Sequence, residues 1–89
     1  MIKDKYELLD YLVDQFVNNH RNGISLSEIS NNTHTYVSYL SNYMRELKDD
    51  GLVELVQRGE KGYTGVIAKY PVWFLTQTAI EVVQQNPKI

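Results

Sequence analysis

Residues 25–54 read SLSEISNNTHTYVSYLSNYMRELKDDGLVE, and their order decides the fold. Ser25 and Glu28 have the spacing of a capping box, in which the serine hydroxyl and the glutamate carboxylate each satisfy a free backbone N–H. Ile24 and Ile29 stand where the accompanying hydrophobic staple belongs. A short helix over 26–31 follows, with Leu26 and Ile29 turned inward. Asn31, Asn32, Thr33 and His34 are poor helix formers and favour a turn. Thr35 then offers an N-cap for a longer helix over 36–50. On that helix Tyr36, Leu40, Tyr43, Met44 and Leu47 share one face at offsets of three and four. Asp50-Gly51 stops it, and the β-branched run from Leu52 begins a strand. Helix, turn, helix and strand thus follow one another without a gap.

The flanks extend this pattern. Residues 4–19 carry Leu8, Leu9, Leu12, Val13 and Phe16 on an apolar stripe, which predicts a first helix. Asp4 and Glu7 lie in its first turn, where carboxylates suit the helix dipole, and the Asn-rich run to Gly23 ends it. Ile24 is placed to make a minimal strand against the later hairpin. Residues 52–57 read as one arm of that hairpin, 58–62 as its tip and 72–75 as the returning arm. Tyr63 to Ala68 is β-prone and extends the hairpin. Trp73 and Phe74 alternate, so at most one of them faces the core. Thr76 caps a last helix over 77–86, with Ala79, Val82 and Val83 on one face and Asn86-Pro87 at its end. The expectation is a single α+β domain over 1–89: a three-helix core, a β-hairpin and a C-terminal helix.

Composition narrows the possibilities. At 89 residues the chain suits one modest core, and 43% hydrophobic with 22% charged residues fits an ordinary globular domain. There is no cysteine, which excludes disulfides and thiolate metal sites. No apolar run approaches the ~20 residues that span a bilayer, and the charged start lacks a signal-peptide core, so a cytoplasmic location is expected. His20 and His34 are isolated, and nothing has the spacing of a nucleophile elbow or paired catalytic acids; no enzyme activity, metal or cofactor is expected. The net charge of −2 is unlike the basic footprint of most nucleic-acid binders. Basic residues still cluster along the hairpin at Arg58, Lys61 and Lys69.

The pattern resembles the winged helix-turn-helix transcription regulators, in the broad group of the multiple-antibiotic-resistance and phenolic-acid-response types. The likeness rests on Ile29-Ser30, Leu40-Ser41, Tyr43-Met44, Leu47, Gly51-Leu52-Val53 and Phe74-Leu75-Thr76, and covers nearly the whole chain. Where that group has an apolar residue and a Gly in the turn, this chain has Thr33 and His34. The resemblance implies a winged helix that binds duplex DNA as a homodimer and regulates transcription. The helix over 36–50 would enter the major groove, and the wing over 52–75 would lie on the backbone.

On that reading Ser38, Ser41, Asn42 and Arg45 face base edges, with Thr35 and the helix N-terminus on a phosphate. Tyr39 turns towards DNA, whereas Tyr36 and Tyr43 belong to the core stripe. Arg58, Lys61 and Lys69 reach phosphates or the neighbouring minor groove, although a charged hairpin tip also serves solubility. Ile80, Val82, Val83 and Ile89, with the first helix, suggest the dimer face; packing within one chain is the alternative. Two other readings share the fold. One is a winged-helix module for protein–protein contact without DNA binding, which the acidic balance favours. The other is a plasmid or viral replication-associated DNA-binding protein. A small-molecule effector would need a pocket at the dimer interface, and the sequence shows none.

Overall fold

The computed structural model describes residues 1–61, 65 and 67–85. The order is α1 (Lys5–Asn19), α2 (Leu26–Thr33), α3 (Val37–Asp49), β1 (Val53–Val56), β2 (Val72–Leu75) and α4 (Gln77–Gln85). β1 and β2 pair antiparallel, with Val53 opposite Leu75 and Val56 opposite Val72. This is an α+β arrangement compatible with a winged helix. Asn86-Pro87, named above as the stop of the last helix, lies outside the described residues.

α1 begins at Asp4, whose carboxylate accepts from Glu7 N–H at 2.9 Å. It ends at His20, which takes a left-handed conformation at φ 54°. Leu8 and Leu12 are its buried face and pack with Leu40, Met44 and Leu47 of α3. Ile29 of α2, Val53 of β1, Trp73 and Leu75 of β2 and Ala79 of α4 complete one continuous core.

The second helix runs two residues past the expected stop, through Asn32 and Thr33. Side-chain bonds explain the extension: Thr33 Oγ1 donates back to Ile29 C=O at 2.7 Å, and Asn32 Nδ2 donates to Tyr11 Oη at 3.1 Å. His34 then turns the chain at φ 54°, at a position where glycine would meet less strain. Only half of the expected capping box forms. Ser25 Oγ accepts from Glu28 N–H at 3.2 Å, but the Glu28 carboxylate is held by Arg21 Nη2 at 2.9 Å instead of reaching back. That hydrogen bond raises the Arg21 pKa above its ordinary value.

α3 ends in a Schellman motif: Leu52 N–H bonds to Leu47 C=O and Gly51 N–H to Lys48 C=O, each at 3.0 Å. Gly51 at φ 76° supplies the left-handed residue this motif requires. Thr76 locks the same corner. Its Oγ1 donates to Gly51 C=O at 2.7 Å and accepts from Ala79 N–H at 3.3 Å, which makes it the cap of α4 as expected.

Ile24 does pair with the hairpin, exchanging two backbone bonds of 2.9 Å with Trp73. Asn22 continues this pairing with a side chain. Its Oδ1 accepts from Leu75 N–H at 2.8 Å and its Nδ2 donates to Leu75 C=O at 3.4 Å. Between them Gly23, at φ 108°, lets the Phe74 ring approach so closely that an added Cβ would lie 2.7 Å from it. Trp73 is thus the buried member of its pair, while Phe74 is half-buried against the α1–α2 connection.

Candidate nucleic-acid interface

α3 has an apolar and a polar side. Leu40, Met44 and Leu47 are buried, and a 100° step per residue puts Ser38, Asn42, Arg45 and Asp49 on the opposite side. All four are exposed, and Ser41 at the margin is half-buried. The polar side is therefore open over the helix length.

The N-terminal arm, residues 1–4, runs along a flank of this helix instead of across its polar side. Ile2 N–H donates to Thr35 Oγ1 at 2.8 Å, and Tyr43 Oη donates to Lys3 C=O at 3.0 Å. Lys5 Nζ closes the line on Asp50 at 2.9 Å. The bond to Asp50 raises the Lys5 pKa above its ordinary value, so the ammonium keeps its charge to higher pH than a free lysine would.

Two sequence expectations are corrected here. Thr35 is neither the N-cap nor available to a phosphate: it is 1% exposed and its hydroxyl is occupied by the fold. Besides accepting from Ile2 N–H it donates to Thr33 C=O at 3.3 Å and lies 2.9 Å from Thr33 Oγ1, whose own proton goes to Ile29 C=O. The N-cap is Tyr36, which makes no side-chain capping bond. Tyr36 is also not a core residue. Its backbone is extended, at φ −61° and ψ 138°, so the helical offset to Leu40 does not apply and the ring projects outward at 72% exposure. It meets Tyr39, itself 49% exposed, edge to face with ring centroids 5.9 Å apart. The sequence signal for this was the start of α3, set one residue too early. Tyr43 is half-buried and packs against the core, as its spacing implied.

The hairpin residues Arg58, Lys61 and Lys69 are all exposed. Gly59 N–H bonds to Ala68 C=O and Ala68 N–H to Glu60 C=O, both at 2.9 Å, and Lys61 bridges to Ile67. These bonds draw the segments bearing the three cations side by side. They also show that the turn after Gln57 is not the apex, because pairing resumes at Lys61. Arg58 to Lys61 lies on an arm. Of the expected extension over Tyr63 to Ala68, residues 63, 64 and 66 lie outside the described residues.

Charge along α3 is graded. The first turn carries no acidic residue, whereas Glu46 and Asp49 occupy the far half and Asp50 is the C-cap. Arg45 and Lys48 interleave with these carboxylates, so the C-terminal half of α3 carries both signs and its N-terminal half carries neither. An open cleft of about 450 Å³ lies elsewhere, between the start of α2 and the hairpin, lined by Ser25, Leu26, Ser27, Tyr70, Pro71 and Trp73. Among the described residues no cluster of three His, Cys, Asp or Glu has metal-binding geometry, and no helix is long and apolar enough to cross a membrane.

No protein-family model, no curated protein and no solved structure matches this chain. The class that the geometry defines is a helical domain with a two-stranded arm and an exposed polar helix face.

Proposed function

We propose that this chain is a sequence-specific duplex-DNA-binding transcriptional regulator without enzymatic activity. α3 would enter the major groove and the hairpin would rest on the backbone. The observation that carries this reading is the open polar side of α3, where Ser38, Asn42 and Arg45 stand clear of the chain's own residues. Asn pairs with adenine and Arg with guanine in two-bond fashion, each worth ~1–3 kcal/mol of discrimination. Arg58, Lys61 and Lys69 supply phosphate contacts that position the helix without reading sequence. A homodimer would set two such helices one DNA turn apart, about 34–36 Å, on a palindromic site.

The test is a salt titration of binding to mixed-sequence duplex, followed by fluorescence anisotropy. Phosphate contacts release counterions, so affinity should fall linearly in log–log form as salt rises. No binding at low salt would reject the reading. The net charge of −2, with Glu46 and Asp49 on α3 itself, favours the second reading, a winged-helix module for protein contact.

A further inference from the structure

We infer that Tyr36 and Tyr39 form a thymine-methyl reader at the start of α3; this rests on the DNA-binding reading above and specifies what the interface selects.

Tyr43 bonds to the N-terminal arm and Tyr11 accepts from Asn32, while Tyr6 and Tyr70 are exposed on α1 and the hairpin. The Tyr36 and Tyr39 rings meet each other edge to face at an interplanar angle of 61°, with the two residues 72% and 49% exposed. Each has two side-chain torsions, so a mutually packed pair is a stiff apolar platform that loses little freedom on contact.

Position selects the occupant. Helix-turn-helix proteins contact base edges with the N-terminal residues of the second helix, the turn in which this platform sits. The carboxylates of α3 are confined to its other half, so a duplex can approach the aromatic end without like-charge repulsion. Tyr39 precedes Asn42 by three residues and adjoins it on the helix surface, so one base step beside an adenine-reading Asn would lie under the ring. On the major-groove floor the thymine C5 methyl is the apolar group that base pairs present. A rigid aromatic edge next to an amide fits a thymine adjoining an adenine.

The experiment uses duplexes selected from a random pool by the full chain. Each is compared with a copy in which uracil replaces thymine, a change that removes only the methyl. The selected sites should contain thymine. Affinity for the uracil copy should drop by about fourfold per contacted methyl, the factor for one buried methyl-sized group. Tyr36→Ala and Tyr39→Ala, at exposed positions, should melt like the parent by circular dichroism, bind the thymine duplex more weakly and discriminate less between the two copies. Equal affinity for both copies with a steep salt dependence would overturn the methyl reader and leave DNA binding standing. A selected site without thymine would do the same. Failure to bind any duplex at low salt would overturn both.

Discussion

Thr35 Oγ1 holds together three segments at one atom. It accepts the Ile2 amide, donates to the Thr33 carbonyl and sits against the Thr33 hydroxyl oxygen. Ser30 Oγ, meanwhile, donates to the Thr35 carbonyl at 2.6 Å. A valine there keeps the shape but strands a buried amide at Ile2, itself 7% exposed. The expected cost of Thr35→Val is roughly 1–3 kcal/mol. For a domain of this size that is a fall in melting temperature of roughly 4–8 °C per kcal/mol, measured by thermal denaturation. Binding to duplex per folded molecule should not change, since the hydroxyl is enclosed. Gly23 is constrained from the other direction. Any side chain meets the Phe74 ring, and φ 108° adds backbone strain. Gly23→Ala should therefore destabilise by about 1–3 kcal/mol in urea denaturation.

Among the elements, the proposed function gives α3 and the hairpin different parts of binding, and single substitutions separate them. Arg45→Ala removes a base-reading donor and should weaken a selected site by about 1–3 kcal/mol while hardly affecting random duplex. Lys61→Ala should weaken both about equally and lower the salt slope by about one. Anisotropy titrations on the two duplexes distinguish these outcomes. The same elements show what the sequence could convey. α1, the body of α3, the Gly51 stop and the Thr76 cap were legible because each rests on local periodicity or on a residue type with one stereochemical use. The continuation of α2 was not, because Asn32 is helical through a bond to Tyr11, which lies 21 positions away. Glu28 went to Arg21 for a similar reason: an arginine brought alongside by the α1–α2 turn outcompetes a backbone amide for a carboxylate. Of the interface residues, the α3 polar set was legible from spacing. Tyr36 and Thr35 exchanged places between core and surface because the first turn began one residue later than their types suggested.

For the whole molecule, the open question is how many copies act together. Tyr6 and Val17 on α1 and Val82 on α4 are exposed apolar positions, whereas Ile80 packs on the core. Val83 and Ile89, expected on the same surface, lie outside the described side chains. If two chains meet through these helices, Val82→Glu should shift sedimentation equilibrium towards the single chain. It should also abolish the preference for palindromic over half-site duplex, leaving the far-ultraviolet spectrum intact. An unchanged mass distribution would remove α4 from the assembly.

The two sets of contacts flanking α3, Ile2 with Thr35 and Lys3 with Tyr43 on one hand and Gly51 with Thr76 on the other, carry a lesson for anyone wishing to transplant this helix. Thr35 ahead of its N-cap and Tyr43 in its middle are tied to the opening residues of the chain, and the Gly51 carbonyl just past its C-cap is tied to a threonine ahead of the final helix. A peptide cut to residues 25–54 would lose both anchors, and grafting it onto another scaffold would need substitutes for them. The unit to transplant is the whole domain.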